Sequence, residues 1–583
     1  MMKRVKAHAI DALLPLGAVL ALFVVLGACF DFYYEFNDDV LIKDIISGRY
    51  TGKSDGHSVQ MLYLLGGFLA ALYRVIPGVP WFAVFLYTCF GVGLYLVLRR
   101  SIIFCRTGRI KGVLILLEIL LVVALMLWEL IFVQYTAVCG FLVATAVFLF
   151  YTTPNDLPAK IFWRKNVWSV VLVILAFCVR TEMVLLLSPF IAAAGIFHWS
   201  NEKKVFCKEN FLKYPGVIVA ILMGCLIGLV GEQIAYSSPE WKGFLDFFDA
   251  RTQLYDYTWY PYYDNAKEFY EDAGISKVQY QLIDTYNYSL DESIDTELLR
   301  KVAAYGEKSR NQGGLKERGI KAVRDLFFRT VHNQDAPYNY LVMGGYVLVM
   351  ILAFVRKDIS YVWKLPMLGV LRCIPWMYLL FSDRVPQRIW HPLYWIELLL
   401  LMAIFIKQLH MWSDGSRKIK TVCYVGLYMF LVVQIIVWLP DVWKKVRVEE
   451  IYREEINEPF IQFQEYIEAN PGNYYFMDVY SSVYFSEKIF KNQGTAQKNY
   501  DILGGWIAKS PLQKEVLEQF FEDEESVSEM LLQEKCYFVA ESMRDVYFLT
   551  DYYLEQGIVL TMEQVHVLGN DEHQLTVYQI NGK

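Results

Sequence analysis

The sequence predicts an α-helical polytopic membrane protein of about eleven transmembrane helices, with an outer helical insertion and a C-terminal α/β soluble domain. Three observations carry this. The 583-residue chain is 56% hydrophobic yet 20% charged, with a mean hydropathy of +0.30, a mixture of lipid-buried helices and sizeable aqueous parts that excludes a soluble enzyme. Eleven separable apolar segments lie between Asp11 and Trp438. The polar stretches between them alternate between a short Lys/Arg-rich set and an acidic, aromatic, longer set.

The basic set is residues 3–6, 99–111, 160–165, 203–213, 356–364 and 407–420. The positive-inside rule turns these to the cytoplasm, together with the N-terminus. The opposite set therefore faces out: residues 31–80, Gln134, 180–182, 233–340, 382–388 and everything after Pro440. The chain divides accordingly into N-terminal membrane helices over 1–233, an extracytoplasmic helical insertion over 234–340, further membrane helices over 341–439 and an extracytoplasmic acidic domain over 440–583. Such a chain belongs in the plasma membrane as a multi-pass protein.

The elements follow in order. The basic start resembles a signal peptide, but the apolar run 12–30 is long for one and lacks a small-residue cleavage site, so it reads as an uncleaved first helix. Residues 59–76 are apolar enough to span, yet a crossing there would invert every later loop; they lie along or partly into the outer leaflet, with Tyr63, Tyr73 and Arg74 at the interface. Residues 167–197 have basic loops on both sides and must cross twice; one helix would be roughly 45 Å long against a core of about 30 Å. The break falls at Arg180, Thr181 and Glu182. In the insertion, 291–310 has the clearest helical charge pattern. In the tail, strands are expected at 474–479, 536–540, 558–567 and 574–580, and helices at 454–469, 511–521 and 544–556.

Residues 441–583 hold 26 acidic and 12 basic residues, a net of −14 within a chain of net −6, which leaves +8 for the rest. So acidic a tail disfavours nucleic acid and anionic lipid as its partners. Of the ten cysteines only Cys536 falls well within the outer soluble part, so no outer disulfide framework is expected. No solenoid-period repeat or low-complexity tract is present.

The first outer loop, 31–80, is the densest in chemistry. Asp38 and Asp39 stand side by side beyond the first helix, in the run Asn37, Asp38, Asp39, Val40, Leu41, Ile42, Lys43, Asp44, and a Gly-rich return leads to His57. A carboxylate near lipid headgroups is partly desolvated, and a second acid beside it raises its basicity further, as a general base requires. Spacing alone supports a merely acidic outer loop equally well.

This loop resembles that of the GT-C superfamily of integral membrane glycosyltransferases, in particular the protein O-mannosyltransferase and aminoarabinose-transferase type. Asp38 and Asp39 match the acidic pair and amphipathic helix of that family's first loop, and His57 to Tyr63 is similar to its return segment. The break at Arg180 to Glu182 looks like the family's later basic position facing a lipid-linked donor. The resemblance covers about residues 1–440 and implies transfer of a sugar from a polyprenyl-phosphate donor to an envelope glycan, glycolipid or protein acceptor on the outer face, in a bacterial cell envelope. It makes Asp38 the base with Asp39 alternative or auxiliary, Arg180, Arg384 and Arg388 the donor-phosphate ligands, and His57 and Glu182 auxiliary. A divalent metal is left open. The Pro-Pro after His57 and the Trp-Trp-Asp-Tyr-Gly signature are both missing, which sets oligosaccharyltransferase-type transfer aside.

Two arginines, Arg384 and Arg388, lie outside against the prevailing charge bias; a lipid-phosphate partner and an interfacial anchor or salt bridge to Asp383 are even alternatives. Glu118 and Glu129, eleven residues apart in one apolar run, fall near one helix face and would suit a proton path. The aromatic cluster 255–263 reads first as packing and second as a sugar platform. Two rivals therefore stand beside the transferase: a transporter or flippase of lipid-linked saccharides, and a non-catalytic envelope assembly protein. Gly504 and Gly505 lack the following Lys and Ser/Thr of a nucleotide loop.

Overall fold

The computed structural model describes residues 2–103, 108–312, 314–411, 417–490, 496–521, 526–542 and 546–583. Among them eleven helices are long and apolar enough to cross a membrane: Ala9–Cys29, Trp81–Ile102, Ile110–Ile131, Tyr135–Thr152, Ala159–Val179, Thr181–Ser200, Lys208–Ala235, Tyr338–Arg356, Tyr361–Phe381, Gln387–His410 and the start of Val425–Ala469. The fourth is the hub, with 94% of its apolar window buried. Small residues let neighbours approach it: a Cβ on Gly140 would sit 2.3 Å from Cβ of Pro392 in the tenth helix, so only glycine fits there.

Residues 59–76 do not supply a span. They form the 13-residue helix Tyr63–Val75, about 20 Å long and too short for the roughly 30 Å core. Its start is tied to the seventh helix, where Tyr63 N–H donates to Glu232 Oε2 at 2.6 Å, while Leu64, Phe68 and Val75 stay exposed. The expected break is also present: Arg180 is extended (φ −156°, ψ 101°) between Ala159–Val179 and Thr181–Ser200.

The basic loops gather at one end of the bundle. Lys364 Nζ donates to Asn201 Oδ1 at 2.6 Å, Lys213 Nζ to the Asn155 carbonyl at 2.9 Å, and Lys407 Nζ to the Tyr151 and Thr153 carbonyls at 3.1 Å. Parts of the loops 99–111 and 407–420, namely 104–107 and 412–416, lie outside the described residues. The insertion, built around the helices Pro239–Thr252, Thr296–Gln312 and Leu315–Val331, packs on the C-terminal domain, where Asn287 Nδ2 donates to Asp478 Oδ1 at 2.8 Å, and on the 382–388 loop, where Asp256 pairs with Arg384 at 3.1 Å.

The last helix differs from expectation. It runs unbroken over Arg417–Ala469, 53 residues through Pro440 and Pro459, so the division at 440 falls inside one element. The i,i+4 pairs Lys445–Asp441 (2.9 Å) and Arg453–Glu449 (2.8 Å) support the turns after Pro440.

Seven strands are present among the described residues: β1 (Tyr33–Tyr34), β2 (Phe132–Val133), β3 (Tyr474–Met477), β4 (Tyr500–Ile502), β5 (Cys536–Glu541), β6 (Leu560–Gly569) and β7 (Gln574–Gly582). The last five form one sheet in the order β4-β3-β5-β7-β6. β4 and β5 flank β3 in parallel, and β7 pairs antiparallel with β5 and β6. The four expected strands are there. β4, three residues with Asp501 at its centre, lacks an apolar alternation to announce it. The helix expected at 544–556 is Tyr547–Glu555, and Arg544 lies outside the described residues.

Candidate active site

The first loop is pinned before it presents its acids. Tyr33 and Tyr34 of β1 pair in parallel with Phe132 and Val133 of β2, and both tyrosines are fully buried. The helix Asn37–Ser47 follows, with Asp38 and Asp39 in its first turn, where the positive end of the helix dipole favours carboxylates.

The two acids then separate in character. Asp39 is 0% exposed; its Oδ1 accepts from Tyr135 N–H at 3.3 Å, at the N-terminus of the hub helix that Gln134 caps. Burial, followed by the charges of Asp38 and Glu35, holds the Asp39 carboxyl well above the usual carboxylate range. Asp38 is half-buried, and its Oδ1 accepts from Trp506 Nε1 at 3.0 Å. Behind them Glu35 accepts from Trp128 Nε1 at 3.1 Å; burial raises it to about 7.

Three of the expected residues converge with this pair. Arg180 Nη1 donates to Gln60 Oε1 and, at 3.5 Å, to the Tyr135 hydroxyl, with its guanidinium 5.8 Å over the Tyr135 ring. Glu182, largely exposed, pairs with Arg180 Nε at 3.0 Å. Arg388 stands 4.9 Å over the Phe36 ring and, among the described residues, has no carboxylate within ion-pair distance. The charges of Asp38, Asp39, Arg180 and Arg388 all reach the Tyr135 hydroxyl.

Two expected residues are placed differently. Arg384 is paired with Asp256 at 3.1 Å and lies 5.4 Å over Tyr257, in the insertion. It does not pair with Asp383, which holds Arg310 and Lys321 instead. His57 is a brace: Nδ1 meets Asp55 Oδ1 at 2.6 Å and the ring stacks 4.7 Å from Trp241. Glu118 accepts from Ser101 Oγ at 2.8 Å, whereas Glu129 pairs with His391; the two carboxylates contact different helices.

Residues that sequence reasoning passed over complete the site. Trp506 comes from the C-terminal domain, with Gly504 before it: a Cβ there would lie 1.7 Å from the Tyr286 carbonyl, so glycine alone allows the insertion this close. Gln60 and Tyr135 are neutral and carried no signal. Lys43, Asp44 and Arg49 meet Glu487 and Lys498 in a buried ionic cluster, with Lys43–Glu487 and Lys498–Asp44 at 2.5 Å. Burial pushes the Asp44 carboxyl up, but Lys43, Lys498 and Arg49 outweigh it and hold it well below the usual range. Among the described residues no group of three or more His, Cys, Asp or Glu side chains is disposed to hold a metal ion.

No protein-family model matches the chain, and no curated protein matches it. Among solved structures it is similar to ArnT from Cupriavidus metallidurans bound to undecaprenyl phosphate, with 9% identity, a TM-score of 0.40 and 97% of each chain covered. It is similar also to the apo state of that protein, with 11% identity, a TM-score of 0.39 and the same coverage.

Proposed function

We propose that the protein is a GT-C-like glycosyltransferase that moves a sugar from a polyprenyl-phosphate-linked donor to a hydroxyl acceptor on the outer face of the membrane. One observation carries this reading. Asp38, a half-buried carboxylate, and the guanidiniums of Arg180 and Arg388 all bring their charge to the Tyr135 hydroxyl, to which Arg180 Nη1 also donates at 3.5 Å, and Asp38 also lines a cavity.

Asp38 takes the proton from the acceptor hydroxyl as the acceptor oxygen bonds to the anomeric carbon. The bond from that carbon to the phosphate oxygen breaks, and the electron pair leaves on the polyprenyl phosphate. Arg180 and Arg388 match phosphate oxygens in fork geometry and remain charged throughout. Attack from the face opposite the phosphate inverts the anomeric centre. Burial of Asp39 disfavours a second negative charge beside Asp38. Trp506 orients the Asp38 carboxyl.

A transfer assay in membranes tests this, using a set of polyprenyl-phosphate sugars and comparing wild type with Asp38→Asn. Transfer by the wild type alone supports the reading; equal transfer by both removes it.

A further inference from the structure

A cavity of about 340 Å³ opens between the first outer loop and the C-terminal domain. Asp38 lies on its wall, so this acid belongs both to the arginine cluster and to the cavity. The remaining lining comes from the first loop, the insertion, the C-terminal domain and the far end of the last helix at Phe460. None of the first ten membrane helices lines it.

The lining chemistry is specific. Tyr286, Tyr480 and Trp506 present rings from two separate parts of the chain, and such rings pair an apolar face with a polar tip. The charged groups on the wall are Asp38, Asp44, Arg251, Lys498 and Asp501. Asp44 and Lys498 neutralise each other at 2.5 Å. Asp501 accepts from the Tyr50 hydroxyl at 2.9 Å and from Gln513 Nε2 at 2.7 Å. Arg251 is then the one cation on this wall without a carboxylate at ion-pair distance among the described residues, and it shares the wall with Asp38 and Asp501. The surplus positive charge that a phosphorylated acceptor needs, Arg180 and Arg388, is absent from this lining.

We infer that this cavity is the acceptor subsite of the proposed transferase and that it takes a neutral, hydroxyl-rich saccharide, with the C-terminal domain as the module that selects it. Aromatic faces cover the apolar face of a pyranose, and the carboxyl and guanidinium groups meet its hydroxyls. The saccharide hydroxyl nearest Asp38 is the one deprotonated. The inference rests on the transferase reading, and the test separates the two.

Full-length protein in detergent is titrated with neutral oligosaccharides of two to four hexose or N-acetylhexosamine units, with the same oligosaccharides bearing a terminal phosphate, and with a short-chain polyprenyl phosphate. Tyr480 and Val483 are 38% and 42% exposed on the cavity wall, so their replacement should leave the fold intact; a melting curve checks this. Tyr480→Ala, which removes a ring, and Val483→Trp, which fills the mouth, should each weaken neutral-oligosaccharide binding by about tenfold. Both should leave polyprenyl-phosphate binding within about twofold, and Arg388→Ala should do the reverse. The inference is overturned if no neutral oligosaccharide binds, if the cavity variants bind as the parent does, or if the phosphorylated forms bind more tightly than the neutral ones. Loss of polyprenyl-phosphate binding with saccharide binding intact would instead remove the transferase reading and leave the saccharide site standing.

Discussion

Asp38→Asn and Asp39→Asn should behave very differently, although the two acids are neighbours in one helical turn. Asn at 38 keeps the size of the side chain and an oxygen that still accepts from Trp506 Nε1, so only the proton acceptor is removed. A lost general base costs about 10²–10⁴ in rate, or roughly 3–5 kcal/mol on the barrier. Asp39 is fully buried and its carboxyl is raised by burial first and by Asp38 and Glu35 next, so its surroundings favour the neutral form. Asn there replaces one neutral group by another and can still accept from Tyr135 N–H, and the rate should stay within about threefold. Single-turnover transfer at saturating donor, with donor affinity measured separately, reads both. An Asp39→Asn loss as deep as that of Asp38→Asn would refute the division of roles, and near-normal rates in both would remove the first loop from catalysis.

Arg388→Ala should weaken donor binding by roughly 1.5–3 kcal/mol, about 10- to 150-fold in Kd, while Arg384→Ala, already paired with Asp256, should change it by less than about threefold; equal effects would show that the phosphate is held elsewhere. Asp501 is raised to about 6 by burial, so its unfolded form loses its proton first and stability falls as pH rises from about 4 to about 6, by up to about 3 kcal/mol. Asp501→Asn should flatten that part of a thermal-melting profile, and an unchanged slope would show that Asp501 does not set it. With a membrane-impermeant maleimide on intact cells, Lys514→Cys should label above the parent background and Lys204→Cys should not; the reverse would invert the topology. Glu118→Gln should lower protein yield more than specific activity, because Glu118 bonds Ser101 inside the bundle; lost activity at normal yield would bring back the transporter.

The helices were legible because their signal is one-dimensional. Apolar length and loop charge identify a span without knowledge of its neighbours, and the same two quantities excluded 59–76 and split 167–197 at Arg180. The acidic pair was legible for a similar reason, as adjacent acids just beyond a helix end. What stayed hidden depends on contacts across hundreds of residues. Trp506 bonds Asp38 over a separation of 468 positions, and nothing in its local sequence distinguishes it from a core tryptophan. His57 stood out through the resemblance of its segment to the family's return segment; its contacts with Asp55 and Trp241 could not be read from that segment. Arg384 and Arg388, four residues apart in one loop, could not be told apart until the insertion supplied Asp256 to one of them.

The ionic cluster beneath the site accounts for how two parts of the chain meet at one side chain, the proposed base Asp38. Lys43 and Asp44 lie on the Asn37–Ser47 helix that carries Asp38, and Lys498 and Glu487 come from the C-terminal part of the chain. Buried charges of this kind add little stability over well-packed apolar groups, because desolvation offsets their attraction. Their contacts are directional, however, and removing one partner leaves an uncompensated charge at a cost of about 3–5 kcal/mol. The domain is thereby restricted to a pose in which Lys498 meets Asp44 at one end of the helix and Trp506 meets Asp38 at the other. A domain held at both ends of the Asn37–Ser47 helix cannot shift without moving Asp38, so the proposed acceptor surface and the proposed base keep a fixed relation.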